Sequence, residues 1–399
     1  MPSIKYPDDL KSKSLKSLRR VSSSPDLHKS PTQPYGGGTY TKRSILRLRV
    51  REAEPSILSR YICAEIVHVF DITMAPAMIA SIFEPAFGIE GRFVLKMFDR
   101  FYCDEVREQR TIQKWTARLD QKYFKYLLSE EGAHRMTRAL RCGFQDYESD
   151  SEDEEEEDDG GEATKSKYNE IDQTEGHKKD EKEENMLDDE ETKESDLLWD
   201  EIFVHAYCQK TFGQESGSYR KIQDIQGEDV PRLFACVELP MNYSSRYHST
   251  YAVIHDIPGV LIQYVNGFKL SDIYDGDDLP APRETWQYIC DDAIKVVNAT
   301  MRRGVNNWDT RVRNIMVQWD PTSEKYKAVM IDFGHCELRK DESDRDWREK
   351  KAYQDSEGAI GCVMERRLQE RRGGGFVYRR TEYAEQLSYD FMGENGPRV

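Results

Sequence analysis

Between Asp146 and Asp196 the chain carries 25 acidic residues against 6 Lys, and no other feature restricts its folding as strongly. That stretch alone holds a charge of −19 where the whole 399-residue chain holds −16, so the remainder stands at +3. Self-repulsion and a scarcity of apolar residues leave too little burial to offset the entropy of ordering, which predicts a disordered insert over 146–196. Whatever folds is assembled from the segments on either side. The Ser/Pro/Lys-rich start reads as a second disordered segment, a basic arm over 1–43. Lys5–Arg49 has 11 Lys and Arg against 3 Asp, which suits an anionic partner or the acidic insert itself. Roughly 300 residues remain, enough for one large domain or two small lobes with a sizeable core.

Several classes are excluded by composition. Mean hydropathy is −0.80, and no apolar run approaches the ~20 residues of a membrane span. The first 30 residues lack the apolar core of a secretory signal. The expectation is a soluble intracellular protein, cytoplasmic or nuclear, with no membrane partner. Cysteines at 63, 103, 142, 208, 236, 290, 336 and 362 form no C-x-x-C pair, which argues against a zinc site and a disulfide framework. Overall acidity opposes nucleic-acid binding by charge neutralisation.

β-Branched and large apolar residues predict strands at Ser44–Val50, Tyr61–Phe70 and Met78–Phe83, with a turn at Asp71–Pro76. Phe93–Phe98 is an apolar run interrupted by Lys96. Tyr102–Phe144 reads as mixed, helical over Lys122–Glu130, where apolar residues recur three and four apart. From Asp196 a helical pattern sets Leu198, Ile202, Ala206 and Phe212 on one side and ends before Gly227. Strands are expected at Leu233–Leu239, Tyr251–Asp256 and Gly259–Val265. Trp286–Arg303 predicts a long helix with a core face of Trp286, Ile289, Ala293, Val296, Val297 and Met301. Asn314–Trp319 and Lys327–Ile331 form a hairpin about Asp320–Ser323. This order predicts an α+β protein with a strand-rich half and a helix-rich half.

The residues able to do chemistry cluster late. Val329-Met330-Ile331-Asp332-Phe333-Gly334 sets a carboxylate where a buried strand ends, followed by a glycine that lets the backbone turn away. Such a carboxylate is costly unless a cation or donor meets it. Standing alone, Asp332 would equally serve as a turn cap. Upstream, Asp309 and Asn314 stand five apart, Asn314 at the mouth of the strand that pairs with the one ending at Asp332. That pairing brings the Asn314 amide oxygen and the Asp332 carboxylate together, a few oxygen ligands of the kind magnesium takes alongside substrate phosphates. Asp309 would lie nearby to accept a proton from a hydroxyl.

Together these motifs resemble the catalytic loop and metal-binding motif of the protein kinase-like superfamily. The segment Gln354–Met364 is similar to one in uncharacterised fungal kinase-like proteins. The resemblance covers roughly Tyr61–Met364 and implies a bilobal fold. Residues 44–145 would begin the small lobe, 197–267 would complete it with a hinge, and 268–399 would form the large lobe. It further implies ATP and Mg²⁺ as cofactors. Lys96 would grip the α/β phosphates and pair with a helical glutamate, Glu215 first and Glu201 second. Gln263 and Val265, in the hinge-like Gly259–Gly267 segment, would meet the adenine through their backbone. Asn314 and Asp332 would hold the metal, and Asp309 would act as base toward an acceptor, small molecule or protein, that the residues leave open.

Four departures accompany the resemblance. No G-x-G-x-x-G precedes Lys96, and the side chains of the corresponding turn, D-I-T-M-A-P-A-M, would hinder close backbone approach to phosphates. Asn307-Trp308 stands where the family has His-Arg, no A-P-E follows Gly334, and 65 residues follow Gly334, short for a peptide-binding platform. Three readings stay open: an ATP/Mg phosphotransferase, a catalytically inactive kinase-fold scaffold recruiting partners through its acidic insert, and a small-molecule kinase of the aminoglycoside-phosphotransferase type. The last fits the missing activation-segment motif but not the lack of H-G-D.

Overall fold

The computed structural model describes residues 39–53, 60–70, 75–82, 91–142, 180–241, 256–276 and 278–392. The basic arm up to residue 38, the acidic stretch up to 179, positions 71–74 of the turn and 251–255 of one expected strand lie outside these residues.

Alternation of buried and outward residues in the first strands makes a barrel. β1 (Ile45–Ala53), β2 (Tyr61–Val69), β3 (Ala77–Ile82) and β4 (Gly91–Met97) pair in chain order. β5 (Leu233–Leu239) and β6 (Ile257–Gln263) enter as β4-β6-β5, and β5 pairs back onto β1, so the six antiparallel strands close. Leu46, Leu48, Ile62, Ala64, Ile66, Phe93, Leu95 and Met97 are buried, in the period of two that sends alternate side chains to one face. The closing seam carries a buried carboxylate, Glu238, which pairs with Arg49 and Arg51, while Arg49 also reaches Asp256. The strand expected from Gly259 begins two residues earlier, at Ile257, so β6 runs through Pro258. Pro258 sits at the strand start and offers its carbonyl to Phe98 N–H at 2.8 Å. Gly259 is required by close approach, because a Cβ there would stand 2.5 Å from Met97 Sδ.

Beyond β4 come α1 (Asp104–Gln109), α2 (Ala117–Leu127) and α3 (Glu130–Cys142). The helix expected over Lys122–Glu130 is thus divided, with Ser129 Oγ accepting from Gly132 N–H at 3.1 Å as a cap for α3. α4 (Asp180–Lys221) spans 42 residues. Its first turns correct the expectation of disorder over 180–196: that part of the acidic stretch is rich in Glu and free of Gly and Pro, a composition that favours helix. α4 also buries two sides. Ile202 and Ala206 pack with Tyr123, Leu127 and Met136, whereas Val204, Cys208 and Tyr219 join the main core.

The remainder is mostly helical: β7 (Phe268–Lys269), α5 (Asp272–Asp275), α6 (Trp286–Arg302), β8 (Val305–Asn307), β9 (Ile315–Asp320), β10 (Lys325–Met330), β11 (Cys336–Leu338), α7 (Asp344–Gln354), α8 (Ser356–Arg372) and α9 (Glu382–Met392). All six residues expected on the core face of α6 are buried. β7, β9 and β10 form a small sheet and β8 pairs with β11. Asn314 is not in the strand but in a 3₁₀ turn before β9, and Asp332 stands two residues beyond β10. No helix among the described residues is long and apolar enough to cross a membrane.

Candidate functional site

On β4, Leu95 pairs with Leu261 and Lys96 with Val260. The alternation turns Leu95 into the barrel and Lys96 outward. There Lys96 Nζ donates to Glu215 Oε2 of α4 at 2.9 Å and to Asp332 Oδ1 at 2.7 Å. Side-chain exposure is 13% for Lys96, 1% for Glu215 and 40% for Asp332, so the aspartate is the solvent-facing member. Glu215, the first-choice helical glutamate, also accepts from Phe333 N–H at 3.0 Å. Its other oxygen, Oε1, is buried with no hydrogen-bond partner among the described residues. Glu201, the second choice, is engaged elsewhere: it pairs with Arg107 at 2.6 Å and with Arg100. It fastens α4 to the segment after β4 and lies outside this cluster.

Electrostatics follow from that arrangement. Burial alone would lower the Lys96 pKa, but the charges of Asp332 and Glu215 outweigh it and hold the amine protonated. Burial raises Asp332, yet the charge and hydrogen bond of Lys96, with Gly334 N–H, bring it below the usual carboxylate range. Glu215 is raised, burial being the largest cause and Lys96 an incomplete offset.

The turn that carries Asp332 differs from expectation in which residue bends. Asp332 itself has φ of 67°, in the left-handed region that a short polar side chain tolerates. Gly334 is needed for space instead. A Cβ there would lie 2.8 Å from Thr211 Cγ2 and 3.4 Å from Glu215 Oε2. Between them, Phe333 is fully buried edge-on to Tyr219 of α4.

Asp309 and Asn314 meet one turn away. Asn314 Nδ2 donates to Asp309 Oδ2 and to its backbone oxygen, both at 3.0 Å. Asp309 Oδ1 pairs with Arg311 Nε at 2.6 Å, and Arg313 stands 3.9 Å from Oδ2. Ile331 N–H donates to Asn314 O at 2.8 Å, which ties this turn to the strand exit before Asp332. With its amide nitrogen turned to Asp309, Asn314 keeps the amide oxygen for another partner. At the barrel edge, Gln263 N–H is committed to Arg232 O at 2.8 Å and its side chain accepts from Arg232 N–H at 3.1 Å. Val265 follows, buried.

Sequence reasoning passed over Asn307 as a mere departure from His. In the structure Asn307 is buried, donates from Nδ2 to Asp332 O at 2.9 Å and accepts at Oδ1 from Asp309 N–H at 2.9 Å. It links the two loops directly. Its place two residues before Asp309 was the available signal. His335 was also missed: it lies 3.3 Å from Tyr207 Oη of α4, with burial lowering its pKa while Asp332 and Asp309 oppose. The donors suit a hard cation shared with phosphates, since Asp332 and Asn314 offer oxygen. No group of three or more His, Cys, Asp or Glu able to hold a metal occurs among the described residues.

No family model matches the chain, and no curated protein matches it. Among solved structures, the chain is similar to WaaP in complex with acyl carrier protein, at 17% identity over 44% of this chain and 76% of that one, with a TM-score of 0.27. It is also similar to two variants of the PknI kinase domain of Mycobacterium tuberculosis. One gives 10% identity, 82% and 95% coverage of this chain and that chain and a TM-score of 0.31; the other gives 10%, 85%, 99% and 0.30. Likenesses this loose carry no argument about the chemistry of the chain.

Proposed function

We propose that this chain has a divergent protein kinase-like fold, binds ATP with magnesium beside β4 and α4, and transfers the terminal phosphoryl group to a hydroxyl acceptor. The observation that carries the reading is the single ammonium of Lys96 held by Glu215 at 2.9 Å and by Asp332 at 2.7 Å, three residues from distant chain positions. Lys96 is fixed by the buried Glu215 and points to the more exposed Asp332, where it would meet the α/β phosphates. Asp332 and the Asn314 amide oxygen would hold Mg²⁺, which when bound neutralises charge on the β/γ phosphates. Asp309, aligned through Asn314 and Asn307, would take the proton of the acceptor hydroxyl. Gln263 and Val265 would border the adenine. Positioning and charge neutralisation supply most of the acceleration in phosphoryl transfer, so these residues suffice in kind.

A second reading, an inactive scaffold, is favoured by one observation: Arg311 occupies Asp309 Oδ1. The two separate in a melting experiment with and without ATP and Mg²⁺. Ligand at 100 times its Kd adds about 2.7 kcal/mol to the native state. The expected outcome is a Tm rise of several degrees that Asp332→Asn removes. No rise in the wild type would leave the scaffold.

A further inference from the structure

Two cysteines that no spacing in the sequence relates meet in the folded chain. Cys103 and Cys208 stand 105 positions apart, are 0% and 3% exposed, and their Sγ atoms lie 3.3 Å from each other. Both are reduced. Cys103 ends the segment that leaves β4, just before α1, and Cys208 lies on α4. Their contact is one rung of a ladder between that segment and the helix. Lys96 Nζ meets Glu215 at 2.9 Å, the Phe98 ring stands edge-on to Phe212 with centres 5.7 Å apart, and Cys103 meets Cys208. Further along, Arg100 and Arg107 both hold the buried Glu201. Glu201, Cys208 and Glu215 are spaced seven apart, which sets all three on one face of α4.

A disulfide forms without backbone movement only where the fold already holds its two cysteines face to face. Here the elements that carry them are fastened on both sides of the contact, by the Lys96–Glu215 pair toward one end of α4 and by the Glu201 pairs toward the other. The sulfurs need to close by little more than one ångström to reach the S–S bond length of about 2.0 Å. Of the two, Cys208 is held protonated, its thiol raised well above the ordinary range by the hydrogen bond to Cys103 and by burial, so Cys103 is the sulfur that attacks an oxidant. Enclosure slows that step and confines it to a small neutral oxidant.

We infer that Cys103 and Cys208 are a modification site: on meeting hydrogen peroxide they join in a reversible disulfide that clamps α4 to the segment leaving β4. The Cys103 sulfur takes one peroxide oxygen as the O–O bond breaks and becomes a sulfenic acid, while the other oxygen leaves as water with the thiol proton. The Cys208 sulfur then displaces the sulfenic hydroxyl, which departs as a second water with the Cys208 proton. Two thiols lose two electrons between them, one peroxide is reduced to two waters, and a thiol reductant restores the pair. No nucleotide takes part, so the bond forms or fails independently of ATP binding at Lys96.

The test treats the full chain with hydrogen peroxide, blocks the remaining thiols with N-ethylmaleimide and digests without reduction. Mass spectrometry should find the Cys103 and Cys208 peptides joined, two hydrogens lighter than their sum, as the predominant intramolecular disulfide, whereas the same treatment in concentrated urea should scatter the pairs. Tm of the oxidised chain should rise by several degrees, because a cross-link between residues 105 positions apart restricts the unfolded chain, and dithiothreitol should reverse both changes. Cys63→Ser with Cys362→Ser, which removes two exposed thiols, should keep both effects. Cys208→Ser should abolish them, and if that variant does not fold, the mapping and the dithiothreitol reversal in the wild type decide. Predominance of any other pair in the native chain, no joined peptide once Cys63 and Cys362 are oxidised, or a Tm that falls on joining overturns the inference.

Discussion

Asp309 and Asp332 are both carboxylates in one small region, yet their surroundings assign them different work. Asp309 is gripped by Asn314 and Arg311 and has no tie to Lys96 among the described contacts, whereas Asp332 is a partner of Lys96. Asp309→Asn should therefore lower phosphate turnover by about a hundredfold or more, the usual worth of a positioned base, while nucleotide affinity in a calorimetric titration stays within a few-fold. Unchanged turnover would take Asp309 out of its proposed role. Asp332 is different because its pKa is depressed in the folded chain. A depressed carboxylate contributes stability above its unfolded value of 3.8 and loses it as pH falls through the folded value. Tm measured downward from pH 6 should fall more steeply below about pH 4 in the wild type than in Asp332→Asn. Parallel curves would show that the Lys96–Asp332 contact adds little to stability.

The elements meet so closely at the Asp332 turn that one methyl group decides their fit. Gly334 faces Thr211 of α4, and Gly334→Ala would drive its Cβ to 2.8 Å from the Thr211 methyl. The cost expected for such overpacking is about 1–3 kcal/mol in chemical denaturation. Thr211→Ser deletes the methyl and keeps a hydroxyl able to donate to Tyr207 O, a bond of 2.8 Å in the native chain. The double variant should recover most of the loss; two costs that simply add would mean the clash lies elsewhere. This contact also shows what could be read in advance. Asp309, Asn314, Asp332 and Lys96 were recognisable because each chemical type sits at a short fixed spacing or in a contrasting apolar run. Thr211 was not, since nothing local in α4 marks the residue that will face a glycine 123 positions later. Asn307 was passed over because its work consists of two hydrogen bonds to loops, one of them 25 residues away. The need for glycine at 259 was not legible either, because the Met97 sulfur that requires it lies on another strand.

Across the molecule the candidate site joins parts that are built independently. Lys96 belongs to a barrel closed by β1 against β5, a pairing about 190 positions apart that no local pattern announces. Glu215 belongs to α4, Asn307 ends β8, Asp309 lies in the loop after β8, and Asp332 lies in the loop after β10. A ligand gripped by Lys96 and Asp332 must restrain α4 with them, because Glu215 holds both Lys96 and the Phe333 N–H beside Asp332. Amide hydrogen exchange with ATP and Mg²⁺ should thus slow in β4, in the last turns of α4 and around Asp332 by similar factors, while α2 and α3, which contribute no proposed site residue, should change little. Nucleotide held through a single part would slow exchange there alone, and the proposed convergence of Lys96, held by Glu215, and Asp332 on one ligand would then be wrong even if nucleotide binds.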